Sequence, residues 1–171
     1  MLFRSDVVTR RLHALDGRRV PPRPPTDREP LPGGEVADLD ALAGELVKEG
    51  VAAGDARHLV ATYGTEATAV TNLMIRDRAL AVPLIEGGPW LTAEVLHQAR
   101  REMALTVADV MIRRTHIFHL RADQGLGAAP AVARLLAQEL GWNPDAEASS
   151  VRLYAEEARR MRRTFKPAAP P

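Results

Sequence analysis

Cysteine is missing altogether from this chain of 171 residues. That excludes disulfide scaffolds, thiolate zinc sites, cysteine-ligated iron–sulfur clusters and cysteine nucleophiles. Excess charge is missing too: 23 Lys+Arg against 22 Asp+Glu leave a formal net charge of +1. No global field draws the chain to nucleic acid or to anionic lipid, so nucleic acid is not an expected partner. No apolar run approaches the roughly 20 residues that a membrane-spanning helix needs. The start, MLFRSDVVTRR, lacks the apolar core of a signal peptide, and the expected location is cytoplasmic. Aromatic residues make up 4% while alanine and leucine abound, a mix that favours helix over sheet. Four signatures are absent as well: the dinucleotide GxGxxG after a strand, the phosphate loop GxxxxGK[ST], the GxSxG elbow and HExxH.

What is present is globular: 46% hydrophobic and 26% charged residues. Three zones are expected. Residues 1–35 hold a short helix over Ser5–Leu15 and then six prolines between Pro21 and Pro32, an extended linker ending in a Pro-Gly turn. Residues 36–165 form the packed domain, and 166–171 a frayed tail. Within the domain Leu39, Leu42 and Leu46 recur at helical spacing, with Gly50 past the end. Asp55, Thr65 and Thr92 are expected to cap later helices, and Gly64 to terminate the second of the series. Thr106-Val-Ala-Asp109 has the spacing of a capping box, which predicts a new helix or a sharp bend there. Pro130 and Gly141 bracket a later helix. A stripe of Val151, Tyr154, Ala158, Met161 and Phe165 marks the last one. No segment alternates with period two, so the fold class is all-α: a compact bundle of six or seven helices preceded by a proline-rich extended linker.

The charged residues concentrate between Glu94 and Thr115. Asp109 and Arg113, acid first and four apart, suit an ion pair. Glu102 and Asp109 share a face if the helix continues between them. A catalytic carboxylate pair is one use of that arrangement; a network locking two helices in register is the favoured one. Glu94, Glu102, Thr106, Asp109, Arg113, Arg114 and Thr115 are therefore assigned to a structural or interface polar network. No catalytic, cofactor-binding or metal-ligating residue is assigned. His116 and His119 have a spacing that metal ligands use, with Asp123 nearby, but no other histidine within a turn, and are read as an ordinary pair at a helix end. Gly125 and Gly127 are read as a turn. Arg159–Arg163 is the one dense basic cluster, read as a solvated helix face with binding to an acidic partner or nucleic acid as the alternative.

Three stretches carry a resemblance: RHLVATYG (57–64), PWLTAEVLHQARREMALTVADVMIRRT (89–115) and DQGLGAAPAVARLLAQELGW (123–142), with a helix bearing Tyr154 after them. They resemble the C-terminal helical domain of FAD-dependent glycerol-3-phosphate dehydrogenases and α-glycerophosphate oxidases. The most specific piece is carried by Ala93, Glu94, Val95, Glu102, Met103, Ala104, Thr106, Asp109, Val110, Arg113, Arg114 and Thr115. Leu31-Pro32-Gly33-Gly34 is more weakly similar to the segment that joins the family's flavin domain to this one.

The resemblance implies a domain that packs on a flavin-bearing portion. That portion oxidises sn-glycerol 3-phosphate to dihydroxyacetone phosphate and passes electrons to a quinone or to oxygen. It also implies that FAD and substrate residues lie upstream of what is matched here, so no cofactor is expected on this chain. No turnover is expected from the isolated chain, and two origins fit: half of a split enzyme or a truncated product. In the first the expected partner is a separate FAD-binding subunit, which can place the chain at the inner membrane face. An uncovered docking face would favour self-association at high concentration. The alternative is a free-standing helical interaction module acting through Arg159–Arg163.

Overall fold

The computed structural model describes residues 4–19 and 29–164, and among them it holds α-helices and no strand. Helix α1 runs over Arg4–Leu15 and leaves Val7, Val8, Leu12 and Leu15 exposed. Most of the proline-rich stretch, and the tail, lie outside the described residues. The domain proper is built from α2 (Leu39–Lys48), α3 (Ala53–Tyr63), α4 (Ala67–Arg76), α5 (Thr92–Arg101), the single turn α6 (Ile117–Leu120), α7 (Ala129–Leu140) and α8 (Pro144–Thr164). The all-α class is as expected, but the single turn α6 was not anticipated, and the helix expected from Thr106 is a π-helical turn over Asp109–Arg114. The nearest thing to β structure is one isolated bridge, Pro83 with Leu91, closed by Leu84 N–H on the Trp90 carbonyl at 2.7 Å.

Two apolar clusters make the core. One gathers Ala43, Leu46, Leu59, Val60, Tyr63, Val70 and Met74 from α2, α3 and α4. The other gathers Val107, Val110, Met111, Ile117, Val132, Leu136, Tyr154 and Ala158 from the second half of the chain. Helix α5 joins them: Leu91 and Ala93 at its start belong to the first cluster, and Val95 to the second. Each fully buried leucine or valine is worth about 1.5–3 kcal/mol relative to exposure, so the packing of α5 couples the halves.

The helix ends show where local spacing was sufficient. Asp38 caps α2, its Oδ1 accepting Ala41 N–H at 3.0 Å. Gly64 ends α3, and Gly141 ends α7 in the left-handed region at φ 69°. Three expected caps are corrected. Asp55 lies inside the first turn of α3, whose N-cap is Ala52. Thr65 falls in a 3-10 turn, Gly64–Glu66, and its hydroxyl faces Glu35 at 3.4 Å. Thr92 is the first residue of α5 rather than its cap, and its hydroxyl donates to the Leu80 carbonyl at 2.7 Å. For both threonines a neighbouring segment supplies the hydroxyl's partner in place of the residue's own helix.

At Gly64 two backbones meet. The Gly33 carbonyl accepts Thr65 N–H at 3.0 Å, and a Cβ on Gly64 would stand 1.8 Å from that oxygen. Only glycine permits the approach. It pins the segment Leu31–Gly34, by which the chain enters the domain, to the end of α3.

Candidate functional site

The capping box at Thr106 forms as its spacing predicts. Asp109 N–H donates to the Thr106 hydroxyl at 3.1 Å, and the Asp109 carboxylate accepts Thr106 N–H at 2.9 Å. The same carboxylate takes Leu105 N–H at 3.1 Å. Its pKa is lowered: burial would raise it, but the Thr106 and Leu105 donors and Arg113 outweigh that. Arg113 pairs with Asp109 at 3.1 Å and reaches Glu157 of α8 at 3.8 Å. The segment that the box opens is not an ordinary helix. Asp109–Arg114 form a π-helical turn, closed by Thr115 N–H on the Val110 carbonyl at 2.9 Å. Thr115 adds a hydroxyl bond to that carbonyl at 2.8 Å, while its own carbonyl accepts the Trp90 indole N–H at 3.0 Å.

Glu102 does not share a helix face with Asp109. Helix α5 stops at Arg101, and Met103 turns the chain with φ 56°. Glu102 instead pairs with Arg114 at 3.3 Å, and the Arg114 guanidinium also bonds the Glu102 carbonyl. The two carboxylates thus have separate arginines.

Glu94 stands apart from this set. It is 1% exposed and forms a hub between α3 and α5. Its Oε1 accepts Leu91 N–H at 2.7 Å and lies 3.0 Å from His58 Nε2, while Oε2 accepts the Tyr63 hydroxyl at 2.9 Å. Gln98 Nε2 donates to that hydroxyl at 2.8 Å, leaving Gln98 Oε1 buried with no partner among the described residues. Burial and the Glu94 charge push the Tyr63 pKa up, so the phenol keeps its proton. His97 packs edge-on against Tyr63 at 5.2 Å and is 3% exposed. Burial lowers its pKa, against the carboxylates of Glu102 and Glu66 that pull the other way.

Above this hub a surface cleft of about 420 Å³ opens between Pro32, Thr62, Tyr63, Glu66, His97, Arg101 and Glu102. Its floor is the buried Tyr63–His97 pair and one wall is the chain-entry segment. Sequence reasoning does not single out Tyr63, His58, His97 and Gln98 as a site. The only local signal is an acidic residue three positions after the N-cap Leu91, in an otherwise apolar run.

The remaining candidates lie elsewhere. His116 is left-handed at φ 56° before α6, and His119 packs on Phe118 at 4.9 Å. Asp123 is spent on the glycine turn, accepting Gly125 N–H at 3.0 Å and Gly127 N–H at 3.1 Å. Among the described residues no group of three His, Asp or Glu side chains can hold a metal ion. In the basic run, the exposed Arg162 reaches back to the Ala122 carbonyl at 3.2 Å and to Gln124. Among the described residues no helix is long and apolar enough to cross a membrane.

Comparison with known proteins gives this polar architecture a context. A family model described as the C-terminal domain of alpha-glycerophosphate oxidase matches residues 24–147. A glycerol-3-phosphate dehydrogenase of Synechocystis sp. is 30% identical over 145 residues, covering 81% of this chain and 25% of the relative. A probable mitochondrial glycerol-3-phosphate dehydrogenase of Dictyostelium discoideum is 33% identical over 119 residues, covering 69% of this chain and 18% of the relative. The human mitochondrial glycerol-3-phosphate dehydrogenase is 33% identical over 92 residues, covering 52% and 12%. The chain therefore spans a quarter or less of the length of these relatives. The matched segment contains the Glu94 hub, the Glu102–Thr115 network and the entry segment Leu31–Gly34 together, and with that match the chain belongs to the family of C-terminal helical domains of alpha-glycerophosphate oxidases and glycerol-3-phosphate dehydrogenases.

Proposed function

We propose that this chain works as the helical domain of a FAD-dependent glycerol-3-phosphate-oxidising enzyme, seated on a separate flavin-bearing portion. Flavin and substrate are held by that portion, which oxidises sn-glycerol 3-phosphate to dihydroxyacetone phosphate. The observation that supports this most directly is the match of residues 24–147 to the C-terminal domain of one such enzyme class. The geometry agrees with it: most polar side chains of the hub and of the Glu102–Thr115 network bond one another in arrangements that shape a surface. They are not aimed at a common reacting atom, as nucleophile, base and oxyanion donors would be.

The domain's task in this reading is positional. Contacts between domains bury a modest area, roughly 600–1,500 Å². A preshaped surface keeps the ordering cost of such a contact small. Left uncovered, the same surface favours self-association.

The test uses the flavin-bearing portion of the Synechocystis enzyme, produced without its own C-terminal domain. Addition of this chain is expected to raise glycerol-3-phosphate-dependent dye reduction. An identical rate with and without the chain sinks the proposal.

A further inference from the structure

The charges of the chain balance overall but not along its length. Residues 1–19 hold five arginines and two aspartates, while residues 35–55 hold six acidic residues and one lysine. Each of these stretches carries a helix that leaves apolar side chains open. On α1, Val8, Leu12 and Leu15 are each more than half exposed. Spacings of four and three put them on one face. Arg11, three after Val8 and four before Leu15, stands on that face with them and is exposed. Asp16, just past the helix, faces Arg18 at 3.8 Å. On α2, Leu39 and Val47 are exposed, with the buried Ala43 between them along the same edge. Asp40, exposed and seven before Val47, borders that edge, and Glu45 and Glu49 are exposed on the same helix.

The two faces are complementary in charge and in length. Val8 to Leu15 spans about 10 Å along its helix axis and Leu39 to Val47 about 12 Å. Within one copy both faces are open, so the domain does not cover its own α1. Helix α1 has neither Trp nor Phe to seat it in a lipid interface, whereas the acidic counterpart of its arginines is carried by every copy of the chain. We propose that α1 of one copy lies along the Leu39–Val47 edge of α2 in a second copy, with Arg11 against Asp40. A two-fold pair makes this contact twice, each copy giving α1 and receiving α2. The apolar side chains supply the affinity and the opposite charges set the pairing. Helix α1 lies outside residues 24–147 that match the family, so the inference stands apart from the function proposed above.

Sedimentation velocity of the full chain across a wide concentration range, in low and in high salt, tests it. A monomer–dimer equilibrium that salt weakens is expected. Leu12→Glu and Val47→Glu are each expected to raise the dimer dissociation constant about tenfold or more with the Tm unchanged, since both sites are exposed. Arg11→Asp and Asp40→Arg each place like charges in both contacts and are expected to give monomers. An equimolar mixture of those two variants places opposite charges in both contacts and is expected to restore the dimer, which neither misfolding nor a contact inside one copy can do. Leu153→Glu, exposed on α8, is the control and leaves the dimer intact. The proposal is overturned by a parent chain that is monomeric throughout, by a mixture that stays monomeric, or by a dimer lost with Leu153→Glu and kept with Leu12→Glu. Binding of the parent to phosphatidylglycerol vesicles without dimer formation gives α1 to a lipid surface and overturns it as well.

Discussion

The Glu94 hub and the Glu102–Thr115 network sit on successive turns of one stretch of chain, yet they use charge in opposite ways. At the hub a single carboxylate, 1% exposed, satisfies a backbone amide, a phenol and an imidazole from elements far apart in sequence. In the network every carboxylate has its own arginine, and the partners are partly open to water, 52% for Arg113 and 34% for Glu102. The comparison teaches that the visible ion pairs are the weaker fastening. Exposed pairs are screened and contribute little, whereas an unpaired buried polar group carries its full desolvation cost.

The largest expected effect comes from attacking the hub. Glu94→Ala strands Tyr63, His58 and the Leu91 amide, and is expected to cost about 3–5 kcal/mol by chemical denaturation. A loss under about 1 kcal/mol would mean that water replaces the carboxylate and that the hub is not the stronger fastening. Next comes Gly64→Ala, whose Cβ would stand 1.8 Å from the Gly33 carbonyl. It is expected to release the entry segment at a cost of about 1–3 kcal/mol, read as a lower Tm and faster proteolysis near residue 30. Asp109→Ala removes the capping box and is expected to cost about 1–2 kcal/mol. Arg113→Ala, which removes only the exposed pair, should cost no more than about 0.5 kcal/mol. If Arg113→Ala costs as much as Asp109→Ala, the network acts as a unit and the contrast collapses.

A pH titration sharpens the same contrast. His97 has a folded pKa below its ordinary 6.5 because burial disfavours the imidazolium, so the unfolded chain binds the extra proton first. Stability is therefore expected to fall as the pH drops below about 6.5. His97→Gln should flatten that slope if His97 is its source. Asp109 has a lowered pKa, so its contribution is present above the ordinary carboxylate range and lost only as the pH falls through its folded value. Melting temperatures at pH 7, 6 and 5 separate the two groups.

Much of the network was legible because its distances are local. Thr106 and Asp109 are three apart, and Asp109 and Arg113 four, so helical geometry alone brings them together. The capping box announced a new helix or bend at Thr106, but the point at which the preceding helix stops, Arg101, was not legible. Nothing in Glu102-Met103-Ala104-Leu105 resembles a terminator, since the left-handed position is held by methionine where glycine or asparagine is usual. The π-helical turn was hidden for a related reason: it is held by Thr115 and by Trp90, which arrives from outside the helix. The hub was the least visible part. His58 and Tyr63 meet Glu94 across 36 and 31 residues, and no periodicity encodes such a meeting.

The amino-acid order by itself determined the helical class, the main helix boundaries at Gly64 and Gly141, and the reciprocal cap at Thr106, because each depends on residues within a turn or two. Only the tertiary structure decided that Glu94 is the buried hinge-pin of the domain, that Glu102 belongs to Arg114, and that Met103 faces outward beside the chain entry. Those outcomes depend on which distant segments exclude water from a given side chain, and burial is a property of the packed whole.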